Sequence, residues 1–229
     1  MVHFGVCLAI NECKEQGLRP VIAEIKTFSP MYGNLLGSRN ELDIASIYEK
    51  NGAVALSYIT AQRFCGNIGM LEKIVSHSSL PVLRKDFVKN EGMIDETANS
   101  GASALLLIAR LLGDSLEEYV GMTMDRGICP FVEVHTAGEM LDALDTCAPV
   151  IMINNRDITR FETDGGDVSV TESIACLADK KRLIVSASGL GTPADVSRAL
   201  RASDAVLVGT SLMRTGDAAG LLRRMAGCL

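Results

Sequence analysis

Charged side chains placed inside otherwise aliphatic runs are the first chemical signal in this sequence. Glu24 and Lys26 stand two apart in VIAEIK, Lys85 sits in PVLRKDF, Glu133 in PFVEVH and Asn154 in VIMINN. A spacing of two puts Glu24 and Lys26 on one face of an extended segment. A charge inside an apolar run is costly unless it is paired or used. One such residue is readily explained as half of a structural ion pair; two lysines and two glutamates converging on one place suit proton transfer between positioned acids and bases. Ser188, Gly189, Gly209 and Thr210 end two later runs, LIVSAS and AVLVGT. Glycine there lets backbone N–H groups approach an anion, and the segment from Ser211 to Arg214 offers a helix start beside it.

The elements that must position these residues repeat along the chain. Short apolar runs, rich in β-branched residues, occur at Val21–Lys26, Ala55–Thr60, Pro81–Phe87 and Ala104–Ala109, then at Pro130–His135, Val150–Asn155, Leu183–Ser188 and Ala205–Thr210. Helical patterns lie between them. Asp43–Lys50 runs into Asn51-Gly52, and Ser115–Arg126 stops at Gly127. Thr136–Leu144 starts with a capping threonine and has Glu139 at capping-box distance, and Thr192–Leu200 starts with Thr-Pro. Alternating strands and helices imply parallel strands joined by right-handed crossovers. Eight such units predict a single α/β (βα)8 barrel spanning residues 1–229, with residues 1–20 a short segment before the first strand. In that fold the C-terminal strand ends carry the chemistry, which is where these polar residues fall. An open doubly wound sheet would want a glycine-rich loop after the first strand, whereas KTFSPMYGN follows it.

Composition narrows the function classes. The chain is 48% hydrophobic but only 4% aromatic and has no Trp, so its core must be aliphatic, as suits parallel strands covered on both faces. Net charge is −6 and the basic residues are scattered, which argues against nucleic acid as a partner. Seven cysteines without a CxxC pair read as scattered buried thiols in a reducing compartment, and three unpaired histidines argue against zinc. No apolar run approaches a membrane span, so a soluble cytoplasmic protein with no membrane contact is expected.

The blocks VIAEIKTFSP, LPVLRKDF, ALLLIARLL, FVEVH, INNRD, VSASG and VLVGTSLMR resemble the indole-3-glycerol phosphate synthase family from about Phe4 to the C-terminus. The resemblance implies a carbon–carbon lyase of tryptophan biosynthesis that takes a phosphorylated small molecule, needs no metal or cofactor, and leaves oligomeric state open. It makes Lys85 the general acid, with Glu133 and Lys26 moving protons during dehydration and Lys26 near the phosphate. Glu24 and Asn154 would hold sugar hydroxyls and developing charge. Ser188, Gly189, Gly209 and Thr210 would take the phosphate; Phe64, Phe87 and Leu106 would line an aryl pocket; Ser29 and Arg156 join the substrate-binding set.

Two departures accompany the resemblance. The family reads Glu before the Ser-Gly of its seventh strand, where this chain has Ala187, and the family begins with an extra helix, where only about twenty residues precede the first strand here. Asp164 and Asp204 are candidates to replace the missing carboxylate. Two further readings therefore stay open: a related barrel enzyme acting on another phosphorylated amino-ketose or indole derivative, and a non-catalytic relative that binds a phosphorylated ligand.

Overall fold

The computed structural model describes residues 4–156, 167–179 and 181–228. Eight parallel strands close into a barrel: β1 (Val21–Ile25), β2 (Ala53–Ile59), β3 (Val82–Lys85), β4 (Ala104–Ile108), β5 (Cys129–Val134), β6 (Val150–Asn154), β7 (Leu183–Ala187) and β8 (Ala205–Val208). Each strand pairs with its neighbours in sequence, and β1 pairs with both β2 and β8. The predicted (βα)8 barrel is therefore the observed one. The runs overshoot at their C-terminal ends. Lys26, Phe87 and His135 have already left the sheet, and Thr210 opens a helix, Thr210–Arg214, instead of closing β8.

The helices form where local signals place them. Asn40 caps Glu41–Lys50 by accepting from Leu42 N at 2.8 Å, and Thr192 and Asp195 form a reciprocal capping box ahead of Pro193–Ala199. Thr136 caps Ala137–Leu144, but Glu139 does not return the expected bond. Its carboxylate accepts from His135 N and from Arg110 Nε, each at 2.7 Å, so it ties the end of β5 to the short helix Ala109–Leu112 after β4.

Strand alternation sorts side chains into two sets. Outward-facing residues such as Leu105, Leu107, Val132, Ile151 and Ile153 pack beneath the helices. Inward-facing Ile22, Leu83, Leu106, Phe131, Met152, Val185 and Leu207 fill the barrel. Phe4, Val6 and Ile10 belong to this interior cluster, because helix α1 (Gly5–Glu15) packs across the N-terminal end of the barrel. The short segment before β1 is thus a helix that closes the end opposite the predicted site; it does not cover that site. Beside it Lys14 pairs with Asp204. Asp204 is therefore committed to the closed end and does not stand in for the carboxylate missing at position 187; Asp164 and the Asp157 of INNRD lie outside the described residues.

The thiols are less buried than expected. Cys129 is buried in β5, with its Sγ 3.8 Å from Cys7 Sγ, but Cys65, Cys147 and Cys176 are exposed. These three lie in loops and helix ends, where no core forms around them. Among the described residues no helix is long and apolar enough to cross a membrane.

Candidate active site

Two residues beyond the interior layer of Ile22, Leu83, Phe131, Met152, Val185 and Leu207 come Glu24, Lys85, Glu133, Asn154, Ala187 and Gly209. A period of two gives them the same inward direction, so they ring the C-terminal mouth. Glu24, Lys85, Glu133, Asn154 and Gly209 line one cavity there, while Ala187 contributes only a buried methyl group to the core beneath. Of the other expected residues, Phe64, Phe87, Leu106, Arg156, Ser188 and Thr210 line the same cavity.

Three expected residues are not among its lining. Lys26 is buried, with Nζ 5.1 Å from the Phe64 ring centroid. β1 ends at Ile25, so the strand alternation that would keep Lys26 on the face of Glu24 no longer constrains it. Ser29 is fully buried in a two-stranded ribbon, Phe28–Ser29 with Gly33–Asn34, where its Oγ accepts from Met31 N at 3.3 Å. Gly189 shapes the turn after β7 without reaching the cavity.

The charged groups at the mouth are coupled. Lys85 Nζ lies 3.1 Å from Glu24 Oε2, and Asn154 Nδ2 donates to Glu133 Oε1 at 3.1 Å. Burial raises the pKa of Glu133; the positive charge of Lys85 and the Asn154 hydrogen bond oppose this, and the negative charge of Glu24 adds to it. A carboxyl group so placed can hold a proton at higher pH than an exposed one, which fits it to take up and return a proton. Gly209 is required by this arrangement. A Cβ there would overlap Glu24 Oε1 and come within 3.0 Å of Cδ. Its absence of a side chain lets the Glu24 carboxylate lie against the end of β8.

The cavity has two unlike sides. Phe64 follows β2, Phe87 follows β3, and Leu106 and Ile108 belong to β4; together they make an apolar wall. Ser188, Gly209 and Thr210 follow β7 and β8, which lie opposite β3 and β4 in the closed order. Here the backbone is unusual: Ser188 has φ 69° and Gly189 has φ 73°. A left-handed serine costs of order 1–3 kcal/mol and persists only where its surroundings hold it. The holder is Asn155, whose Nδ2 donates to the Ala187 and Ser188 carbonyls at 3.0 and 3.1 Å. Asn155 is itself held by buried Ser186 and Thr171.

Sequence reasoning missed four residues here. Asn155 stands beside Asn154, and the alternation of INN points one of them inward and the other out. Arg84 likewise points away from Lys85, and its buried guanidinium donates to Thr60 Oγ1, Thr97 Oγ1, the Met93 carbonyl, Glu96 and Asp86. Asp86 in turn accepts from Phe87 N at 2.8 Å, bracing the turn that carries Lys85 and Phe87. Asp86 and Arg63 both line the cavity. The alternation in RKDF could have revealed Arg84; nothing in the sequence near Arg63 marks it. Among the described residues no group of three His, Cys, Asp or Glu side chains could hold a metal ion.

Comparison with known proteins gives one consistent result. The family model described as indole-3-glycerol phosphate synthase matches residues 8–225. The indole-3-glycerol phosphate synthase of Pyrococcus furiosus is 47% identical over 225 residues, covering 98% of this chain and 97% of that protein. That of Thermococcus kodakarensis is 44% identical, covering 97% of each. A tryptophan biosynthesis protein of Archaeoglobus fulgidus, TrpCD, is 42% identical over 99% of this chain but only 41% of its own length. A solved structure from Aquifex aeolicus superposes with a TM-score of 0.73 over 99% of both chains at 13% identity, a likeness of fold alone.

Proposed function

The chain belongs to the indole-3-glycerol phosphate synthase family, and from that premise we propose that it is a carboxy-lyase closing the indole ring of 1-(2-carboxyphenylamino)-1-deoxyribulose 5-phosphate. The products are indole-3-glycerol phosphate, CO2 and water. The observation that carries this reading is the position of the Lys85–Glu24 pair and the Glu133–Asn154 pair, between an apolar wall at β2–β4 and a backbone donor site at β7–β8. A substrate with an aromatic ring at one end and a phosphate at the other fits that polarity, with its ketose carbonyl set among the charged groups.

The chemistry follows from that orientation. The ring carbon bearing the carboxylate attacks the ketose carbonyl carbon, and Lys85 as general acid gives a proton to the carbonyl oxygen as the new bond forms. CO2 leaves from the same ring carbon, its bonding electrons staying in the ring. The hydroxyl formed at the old carbonyl then departs as water while a proton is lost next to it, which needs an acid and a base. Glu133 suits one of these roles because burial lets it hold a proton. Glu24 pairs with Lys85 and orients it, and Asn154 fixes the Glu133 carboxyl. N–H groups around Ser188, Gly209 and Thr210 take the phosphate. Lys26, with Nζ 5.1 Å from the Phe64 ring centroid, shares the proton transfers of dehydration with Glu133.

The reading is tested by incubating the purified protein with the carboxyphenylamino ketose and following indole fluorescence. Turnover is expected; a folded protein giving no indole product would overturn it.

A further inference from the structure

Arg63 stands at the aromatic side of the mouth, and none of the roles above accounts for it. Its guanidinium carbon is 3.9 Å from the centroid of the Phe87 ring and 5.3 Å from that of Phe64. The side chain lines the cavity and is exposed to solvent. The backbone holds it there. The tight turn Gln62–Phe64 ends at Cys65 with φ 58°, and Gly66 then packs so closely on β2 that a Cβ would overlap the Ile59 carbonyl oxygen. From the other side, Thr27 Oγ1 donates to the Phe64 carbonyl at 2.6 Å. A guanidinium lying over an aromatic face turns its N–H edge sideways, along the rim of the pocket that the ring forms.

We propose that Arg63 is the specificity-determining residue of the aryl end, pairing with a carboxylate carried by the substrate's aromatic ring. The inference rests on the ring-closing reading and deepens it. A ring seated among Phe64, Phe87 and Leu106, with its phosphate across the barrel, brings an ortho carboxylate to the rim where Arg63 stands. Arg156, the other arginine of the cavity, follows β6, three strands from β3, and is not stacked in the aromatic wall. A guanidinium matches a carboxylate with two parallel hydrogen bonds, and no neutral ring substituent offers the same pairing. Because firm neutralisation of a carboxylate opposes its loss as CO2, the contribution of Arg63 belongs to ground-state recognition and is read in affinity.

The test compares two inert ligands: the substrate with its ketose carbonyl reduced to an alcohol, and the same molecule without the ring carboxylate. Arg63→Met keeps most of the apolar stem and removes the charge. Calorimetric titration should show the carboxylated ligand weakened about tenfold to a hundredfold and the other by less than about threefold. Arg63→Lys should restore part of the difference, since it returns a charge without the planar fork. Equal weakening of both ligands would make Arg63 a wall of the pocket and overturn the proposal. Wild-type turnover is measured separately: failure there removes the ring-closing reading, while the two affinities still decide what Arg63 recognises.

Discussion

At the N-terminal end of the barrel, Phe4 and, from α1, Val6 and Ile10 join Ile22, Leu83 and Cys129 in one buried hydrophobic cluster. At the other end of the same strands, the next inward positions are Glu24, Lys85, Glu133 and Asn154. One alternation along each strand builds both ends, yet one end gains free energy from burial and the other spends some of it on desolvated charge. The molecule keeps its chemistry in the last inward layer, where solvent and substrate reach it, and leaves the layers below to hold the fold. Substitutions at the two ends should therefore separate activity from stability.

The largest effect is expected for Lys85→Met. Loss of a general acid costs ~10²–10⁴-fold in turnover, measured by indole fluorescence on protein shown to be folded by circular dichroism. Near-normal turnover would remove Lys85 from the mechanism. Gly209→Ala comes next. The added methyl must displace the Glu24 carboxylate and with it the Lys85 contact, and a misplacement on the order of 1 Å can cost ~10²-fold. A crystal structure of that variant should show Glu24 moved and the barrel otherwise unchanged.

The closed end should respond in the opposite way. Ile10→Ala deletes a fully buried side chain of α1, and the cavity should cost ~2–5 kcal/mol of unfolding free energy. Urea denaturation reads that loss, while turnover at a temperature where the variant stays folded should be close to wild type. A large fall in turnover without loss of stability would break the division between the two ends.

The smallest effect sharpens the comparison from the side of the mouth. Burial raises the Glu133 pKa above its unfolded value, so the folded protein keeps a proton that the unfolded chain releases as pH passes the ordinary value of about 4.3. Stability contributed at Glu133 is full below that value, falls as pH rises toward the folded pKa, and is flat above it. Glu133→Gln removes this cost. It should raise Tm at neutral pH while impairing turnover, and the gain in Tm should vanish in acid. An unchanged or lower Tm at neutral pH would mean that the Lys85 and Asn154 interactions outweigh desolvation.

Much of this was readable from the chain. Apolar runs every few tens of residues announced the barrel, and Glu24, Lys85, Glu133 and Asn154 were marked as charged or polar groups in aliphatic surroundings. The apolar runs extend past the strand ends because Lys26, Phe87 and His135 carry on the pattern after the ladder has stopped. Lys26 and Ser29 lie outside the cavity lining because β1 ends at Ile25, and strand alternation no longer sets their side-chain directions. The roles of Asn155, Arg84 and Arg63 come from contacts with neighbouring elements of the fold. Asn155 meets the end of β7, Arg84 the helix after β3, and Arg63 a ring on the next strand's loop. Strand alternation marks Arg84 and Asn155 as facing away from their neighbours but does not name the partners they meet, and nothing near Arg63 marks it.

The most direct test of the account is a crystal structure with the reduced-ketose ligand bound. The phosphate should lie against backbone N–H groups of Ser188, Gly209 and Thr210, the aromatic ring in the pocket of Phe64, Phe87 and Leu106, and the alcohol that replaces the carbonyl within hydrogen-bond reach of Lys85 Nζ. A ligand bound at the α1 end, or bound at the mouth with its ring at β7–β8 and its phosphate at the phenylalanines, would contradict it.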